Sequence, residues 1–130
     1  MVKGKDVLKK ALALLGEDFT AGDPDITDFE NSSVFFINMM LAELSDLNTL
    51  VNGSKPSPTD VIPQISSLDN EITYCERISL SLMPMGLAFF IAVDEDNGKA
   101  ALFYNLYKVG IEEMKKTYKT SFLHKIKNVY

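Results

Sequence analysis

Apolar residues recur every three or four positions in four stretches of the chain, the spacing that one face of an α-helix requires. The first stretch covers residues 6–15 and ends at Gly16, a residue type that commonly terminates helices. The second covers residues 27–51, and Thr27 and Glu30 stand three apart at its start, as a capping box requires. Both stretches predict amphipathic helices.

The third and fourth stretches predict a buried helix and a final amphipathic helix. Residues 76–93 are apolar on every side, and Pro84 should start or kink this helix because proline has no N–H. A polar turn at residues 94–98 then supplies an N-cap for the last helix. The side chains expected to be buried on the third helix are Leu82, Met85, Leu87, Phe89, Phe90 and Ile91. The stripe expected on the last helix is Ala100, Phe103, Tyr107, Ile111, Met114 and Tyr118.

Turn-forming residues separate the stretches. Residues 17–26 form an acidic connector in this interpretation, because Gly22 and Pro24 interrupt a continuous helix. Residues 53–73 contain three prolines and predict a long loop, with a short extended piece at residues 61–65. Long loops of this kind usually have a function.

Length and composition fit one compact unit. The chain has 130 residues, of which 46% are hydrophobic and 24% charged, so a single hydrophobic core is expected. We predict an all-α fold, a bundle of about four helices with a long loop between helices two and three and an extended C-terminal tail. The single bundle domain covers residues 1–118 in this prediction, and residues 119–130 form a basic amphipathic tail or helix extension.

Two sets of apolar residues fall outside the predicted core. Phe35, Met39 and Ala42 lie off the main stripe of helix two, so they are candidates for a subunit interface, although three helices surrounding helix two would also cover them. The C-terminal tail alternates apolar with basic residues and is longer than a four-helix bundle needs, so we expect it to bind another chain. Its candidate contact residues are Phe122, Leu123, Lys125, Ile126, Lys127, Val129 and Tyr130.

The numbers of cysteine and histidine and the length of the longest uncharged segment argue against several kinds of protein. The chain has one cysteine, Cys75, and one histidine, His124, so neither an intramolecular disulfide nor a Cys/His zinc site can form. The longest uncharged segment, residues 78–93, is shorter than the roughly 20 residues of a membrane span, and no signal peptide is apparent. We expect no membrane contact and no export.

Charge is segregated along the chain. The net charge is -5, but residues 1–16 carry four lysines and one acid, and residues 97–130 carry seven lysines and two acids. Residues 17–96 hold fifteen acids against Lys55 and Arg77. This acidic middle disfavours a duplex lying along it, because carboxylates repel phosphates, although an acidic surface often serves only solubility.

Few residues match patterns of catalysis or metal binding. The aspartates at residues 23–28 and 94–96 resemble parts of calcium loops but lack the required glycine and glutamate positions. No nucleophile signature surrounds Cys75, which we expect to be a buried structural residue. Glu112 and Glu113 are adjacent on a helix and point about 100° apart, so they cannot converge on one substrate. We therefore expect a protein that is not an enzyme and has no cofactor.

Three segments, taken in order, suggest a family. They are residues 7–16 (VLKKALALLG), 37–44 (INMMLAEL) and 86–96 (GLAFFIAVDED), the last preceded by NEITY at 70–74 and followed by KAALFYNLY at 99–107. This order resembles the head-tail connector proteins of tailed bacteriophages and prophages, also called adaptor, head-completion or packaged-DNA-stabilising tail accessory proteins. The resemblance covers most of the chain.

The resemblance implies a structural subunit of the virion neck, assembled in the bacterial cytoplasm. Such subunits form a homo-oligomeric ring, twelve-fold when on the portal, that extends the channel and receives tail or stopper proteins. In that family the C-terminal segment commonly reaches the portal or a neighbouring subunit. DNA passes the channel without sequence-specific contacts, and an acidic wall would let it slide.

Two other hypotheses belong to different classes. A small acidic helical module or regulator could use the acidic middle of the chain to imitate nucleic acid toward a basic protein. A small hydrolase would require acids from separate segments, such as Glu76 and Asp94, to meet in a pocket. Self-assembly distinguishes the connector from the module.

The tail hypothesis predicts the behaviour of one double variant. Phe122→Asp combined with Ile126→Asp should leave the thermal stability of the bundle nearly unchanged while weakening docking to a partner chain, because the tail lies outside the predicted core. Thermal unfolding followed by circular dichroism and a pull-down with the partner measure the two effects. A collapse in stability would show that the tail belongs to the core.

Overall fold

The computed structural model describes the backbone of residues 1–16 and 24–129 and the side chains of residues 1–16 and 30–119. Its helices are α1 (Gly4–Leu14), α2 (Pro24–Glu43), α3 (Ser45–Val51), α4 (Met83–Ala92) and α5 (Asn97–Val129), and a π-helical turn (Ile78–Leu82) precedes α4. Helices hold 68% of the chain and the described ranges contain no β-strand, which confirms the all-α bundle.

Helix α4 lies at the centre of the bundle. It packs against α1, α2 and α5, and the π-helical turn before it packs against α1 and α5. Side chains from all these elements form one continuous hydrophobic core. Its largest fully buried members include Leu8, Leu12, Ile37, Met40, Leu41, Leu44, Ile78, Met83 and Leu87.

Helix α1 is held at its N-terminal end by a distant segment. Its first backbone amides, on Gly4 and Lys5, donate hydrogen bonds of 3.1 and 2.9 Å to the carbonyls of Asn70 and Leu68 in the long loop. These amides have no partner within the helix, so the loop acts as its N-terminal cap. At the other end the chain turns at Gly16, whose φ of 81° is the left-handed conformation that glycine adopts readily.

The second predicted helix differs from the structure at its start and in its middle. The helix begins at Pro24 rather than with an N-cap at Thr27, because proline is well accommodated in the first turn, where its missing N–H is not needed. It is also split at Leu44, where α2 and α3 meet at a bend of 56°. The prediction of one continuous helix over residues 27–51 was therefore wrong.

A tyrosine from a later segment explains the split. In an uninterrupted helix the carbonyl of Leu41 accepts from the N–H of Ser45, but here the buried hydroxyl of Tyr74 donates to it. The inserted side chain takes the acceptor that would continue the helix, and such insertions are a known cause of kinks. The bend lets Leu44 and Leu47 both remain buried.

The predicted long loop is present between α3 and the π-helical turn, and α2 fixes its middle. The side-chain amide of Asn38 donates to the carbonyl of Ile65 at 2.9 Å and accepts from the N–H of Ile65 at 2.8 Å. The Ile65 side chain is buried in the core. The extended piece predicted at residues 61–65 forms no strand, and within the described residues the loop's only bridge is an isolated pair between Lys3 and Glu71.

Pro84 lies in the first turn of α4, just after the π-helical turn. It has no N–H to offer to the carbonyl of Leu80, four residues earlier, and the ammonium group of Lys10 on α1 donates to that carbonyl instead. The predicted involvement of Pro84 in a helix start or kink is thus observed as a π-helical irregularity. Of the side chains predicted to be most buried here, Leu82 and Leu87 are buried. The others are only half-buried: Met85, Phe89, Phe90 and Ile91.

At Gly86, α4 lies close to two neighbouring helices. A β-carbon at this position would lie 2.6 Å from the sulfur of Met40 on α2 and 3.0 Å from the ring of Tyr107 on α5. Only glycine allows both contacts without displacing them. This position therefore sets the distance between three helices.

Helix α5 carries its predicted stripe toward the core. Asp96 caps the helix, since its carboxylate accepts from the backbone N–H of Lys99 at 3.1 Å. Ala100, Phe103, Tyr107 and Ile111 are buried, and Met114 and Tyr118 are half-buried. The backbone remains helical to Val129, and the division into bundle and tail at residue 118 stays a prediction.

The two hydrogen bonds of Asn38 predict a measurable loss of stability. Asn38→Ala leaves both backbone groups of Ile65 without these partners, so the free energy of unfolding should fall by about 1–2 kcal/mol. Asn31→Ala, an exposed position on the same helix, is the matched control and should change it by less than about 0.5 kcal/mol. Urea unfolding measures both. Equal losses in the two variants would show that Asn38 does not fix the loop.

Candidate interaction surface

Five aromatic side chains from three helices form a continuous array, here called the aromatic ladder. Phe35 and Phe36 of α2 contact edge to face, with ring centroids 5.7 Å apart. Phe36 stacks on Phe90 of α4 at 4.4 Å, and Phe90 adjoins Phe89 at 5.0 Å. Phe89 in turn meets Tyr104 of α5 at 5.0 Å. The ladder thus crosses the bundle surface from α2 over α4 to α5.

Both ends of the ladder are exposed to solvent. Phe35 is 62% exposed and Tyr104 is 42% exposed. Met39, one turn after Phe35 on α2, is 45% exposed, and Ala42 lies on the same exposed face. The three positions predicted as a subunit interface therefore face solvent in a single chain and are not enclosed by other helices of the bundle. Their role in an interface stays a prediction.

Charged groups border the ladder where α2 meets α5. The ammonium group of Lys108 lies 3.4 Å from the carboxylate of Glu43 and 5.7 Å from the ring centroids of both Tyr104 and Tyr107. It therefore combines an ion pair with two cation–π contacts at the edge of the apolar surface. Both charged side chains are about half exposed, so the ion pair itself adds little stability.

A small cavity of about 80 Å³ lies beneath this border, between α2, α4 and α5. Its lining includes Met39, Met40, Glu43 and Tyr107. The buried hydroxyl of Tyr107 has no hydrogen-bond partner among the described residues. Burial, and second the interaction with the neighbouring Glu43 carboxylate, raise the pKa of this phenol far above its ordinary value.

The structure does not bring the other candidate residues together in a site. Cys75 is half-buried rather than buried, and its backbone N–H donates to the Asn48 side chain at 3.0 Å. Glu112 and Glu113 are exposed, as are Glu76 and Asp94. In the described part of the chain, no three His, Cys, Asp or Glu side chains are placed to hold a metal ion.

The predicted tail contacts lie outside the residues whose side chains the structure describes. These are Phe122, Leu123, Lys125, Ile126, Lys127, Val129 and Tyr130, together with His124. The aspartates at residues 23–28 lie outside them as well. Their predicted roles stay predictions.

Most of the ladder was missed by sequence reasoning. Phe36 was placed on the apolar stripe of the second predicted helix and Phe89 and Phe90 in the core. Neither Tyr104 nor Lys108 was singled out. The sequence does contain a usable signal. Consecutive residues in a helix point about 100° apart, so the two phenylalanines at 35–36 cannot both face the same core, and neither can the two at 89–90. Which pairs would meet depends on the packing of α2 against α4, which the sequence pattern does not specify.

Comparison with known proteins does not assign the chain to a family. Searches against protein-family models, curated proteins and solved structures find no match. No single described helix is long and apolar enough to cross a membrane, although α2 and α3 pass that test when taken together as a bent pair.

The buried phenol of Tyr107 predicts how stability depends on alkaline pH. A tyrosine whose pKa is raised on folding stabilises the folded state below its unfolded value of 10.0 and loses that contribution as pH rises above it. The free energy of unfolding should therefore be lower at about pH 11 than at about pH 8, and the fall should begin near pH 10. Tyr107→Phe should reduce this fall and, by removing a hydroxyl without a partner, cost less than about 1 kcal/mol at neutral pH.

Urea unfolding at the two pH values measures the effect. Tyr118→Phe is the matched control, because Tyr118 is less buried than Tyr107 and its hydroxyl accepts a hydrogen bond from Arg77. An identical alkaline loss in Tyr107→Phe and the parent chain would contradict the role assigned to this phenol.

Proposed function

We propose that the chain is a head-tail connector subunit of a tailed bacteriophage, forming a ring between portal and tail that helps to retain packaged DNA. The observation that carries the proposal is the exposed aromatic ladder on a small helical bundle. The order of the packing segments along the sequence, which resembles that family, indicates the kind of assembly. The proposed role is structural, and it requires neither a cofactor nor a catalytic group.

The ladder supports assembly because it places exposed aromatic side chains on the surface of the bundle. Aromatic residues and methionine are enriched in protein interfaces and provide much of their binding energy. Phe35, Met39 and Tyr104 are each more than 40% exposed and come from two helices whose positions are fixed by the core. A neighbouring subunit or the portal can bury these side chains without ordering a flexible loop of this chain, because they lie on helices.

The distribution of acids is compatible with a DNA channel. All the acids between residues 43 and 96 are exposed, and of these only Glu43 and Asp69 form ion pairs among the described residues. A wall of unpaired carboxylates repels phosphates and would let DNA slide past. Which of these acids line the channel follows from the ring geometry.

Helix α5 has the length to serve as a connecting element. Its 33 residues span about 50 Å, whereas the 10 residues of α4 span about 15 Å. The packing described for α5 extends to Tyr118, whose hydroxyl accepts from Arg77 at 3.1 Å. We assign the residues that follow to contacts with the portal or a neighbouring subunit.

The exposed acids also favour a second candidate, an acidic binding module. The turn after α4 presents Asp94, Glu95 and Asp96 together, and all three are exposed. Such a module would bind a basic protein and would need no ring. It would also leave the aromatic ladder without a role, which is why the connector is preferred.

Mass measurement tests the proposal directly. Light scattering and negative-stain imaging of the purified chain mixed with a portal ring from the same genome should show a ring-shaped complex. Phe35→Asp should weaken that complex by about tenfold or more, because it places a charge on the ladder. The melting temperature of the Phe35→Asp chain should change little, since Phe35 is 62% exposed. Leu14→Asp, at a 43% exposed position on α1, is the matched control.

The outcomes separate the two candidates. Equal binding by the Phe35 and Leu14 variants would remove the ladder from the interface. A chain that ignores the portal ring and instead binds a basic protein with a strong dependence on salt would identify the acidic module.

A further inference from the structure

A second apolar surface lies away from the aromatic ladder, in a groove between the π-helical turn, the start of α4 and α5. The groove has a volume of about 520 Å³. Its apolar walls come from Leu82 and Met85 on one side and from Leu106, Val109 and Met114 on α5. Leu106 is 44% exposed and Val109 is 54% exposed, so this face of α5 has no covering element among the described residues.

One cation stands at this groove. Arg77, the only arginine of the chain, lines it, and its guanidinium donates to the hydroxyl of Tyr118 at 3.1 Å. Within the described residues Arg77 forms no ion pair, and Glu113, which also lines the groove, lies beyond ion-pair distance from it. A guanidinium retains several donors and is well suited to a carboxylate. The groove therefore fits an apolar segment that carries an acid.

Such a segment exists on the same chain, at the tip of the long loop. Val61 is 90% exposed and Ile62 is 41% exposed, and Asp60 precedes them. Asp60 closes a tight turn, because its carboxylate accepts from the N–H of Ser57 at 2.9 Å and its own N–H donates to the carbonyl of Ser57 at 3.1 Å. Within the described residues its carboxylate has no cationic partner.

The loop tip is therefore shaped in advance but uncovered. The turn fixes its start, and the bonds between Asn38 and Ile65 fix its end. Binding such a segment does not require ordering a flexible chain, which lowers the entropic cost. Because Val61 is almost fully exposed, the tip does not occupy the groove of its own chain.

We propose that the loop tip of one copy, Asp60 to Ile62, docks into the groove of a second copy. Val61 and Ile62 pack on the apolar walls, and Asp60 pairs with Arg77. The two surfaces are complementary in charge and polarity. The loop tip has an acid beside two aliphatic side chains, and the groove has a cation beside apolar walls. The volume lies within the range of about 300–1,000 Å³ typical of binding pockets and accommodates two aliphatic side chains.

The contact is head-to-tail, since loop and groove are different surfaces of the same subunit. A heterologous contact of this kind repeats from copy to copy and closes into a ring when the rotation permits. In this respect the inference rests on the proposed function, for which it supplies the contact between neighbouring subunits. It leaves the aromatic ladder available to the portal.

The decisive experiment uses two variants that each spoil one half of the contact. Val61→Asp disables the loop tip, and Leu106→Asp disables the groove, while both positions are exposed enough to leave folding intact. Sedimentation velocity of the purified chain, up to millimolar concentration, should show self-association in the parent chain. Each variant alone should associate at least about tenfold more weakly. Mixed together, they should form a one-to-one dimer that does not grow, because one intact loop and one intact groove remain.

Charge variants test the ion pair separately. Asp60→Asn keeps an oxygen for the N–H of Ser57 but removes the charge, so it should weaken association, whereas Asp46→Asn, another exposed acid, should not. Asp60→Arg and Arg77→Asp should each weaken association, and the doubly exchanged chain should recover most of it. Circular dichroism checks that every variant remains folded.

Two results would overturn the contact: a parent chain that stays monomeric at millimolar concentration, and a mixture of the Val61 and Leu106 variants that stays monomeric. The proposed function can fail independently. A chain that assembles through loop and groove but does not bind the portal ring retains this contact and loses the connector role. If the parent chain stays monomeric and the Val61→Asp variant binds the portal ring as well as the parent chain does, the connector role is retained and this contact is lost.

Discussion

The spacing of the whole bundle depends on the approach of α4 to α2 and α5 at Gly86. Met40 and Tyr107 occupy the space where a β-carbon would lie, so the three helix axes meet more closely here than larger residues would permit. This close packing encloses the first half of α4. In the second half, Phe89, Phe90 and Ile91 are only half-buried.

The aromatic surface follows from the same geometry. Phe90 stacks on Phe36 of α2 and Phe89 contacts Tyr104 of α5, and both phenylalanines remain half-buried. Tyr107 packs its ring against Gly86, which leaves its hydroxyl in a small cavity without a partner. A tightly packed centre and an apolar rim are thus two results of one constraint. The core supplies a rigid support for side chains that are free to contact another molecule.

Periodicity predicted those elements whose partners impose a regular stripe. The helix of α1 and the stripe of α5 were both recognised from spacing of three and four, because each presents one face to the core. The split at Leu44 was not predictable in this way, since the hydroxyl that bonds to the Leu41 carbonyl belongs to Tyr74, thirty-three positions after Leu41. The groove at Arg77 escaped detection for the same reason, as its two walls belong to elements that are separate in sequence. Phe35 and Met39 were recognised as lying off the stripe of their own helix, but the pattern left open whether other helices of the bundle cover them.

The capping of α1 by the long loop has a consequence for the order of folding. The first amides of α1 bond to carbonyls more than sixty positions later, whereas α4 and α5 are joined by a short turn. Contacts that are close in sequence form faster than distant ones, so the pair of α4 and α5 is the natural nucleus and closure of the loop over α1 is a late step. On the ribosome, α1 emerges long before its cap has been synthesised. The apolar face of α1 stays uncovered until the helices that it packs against, mainly α4, have also been synthesised.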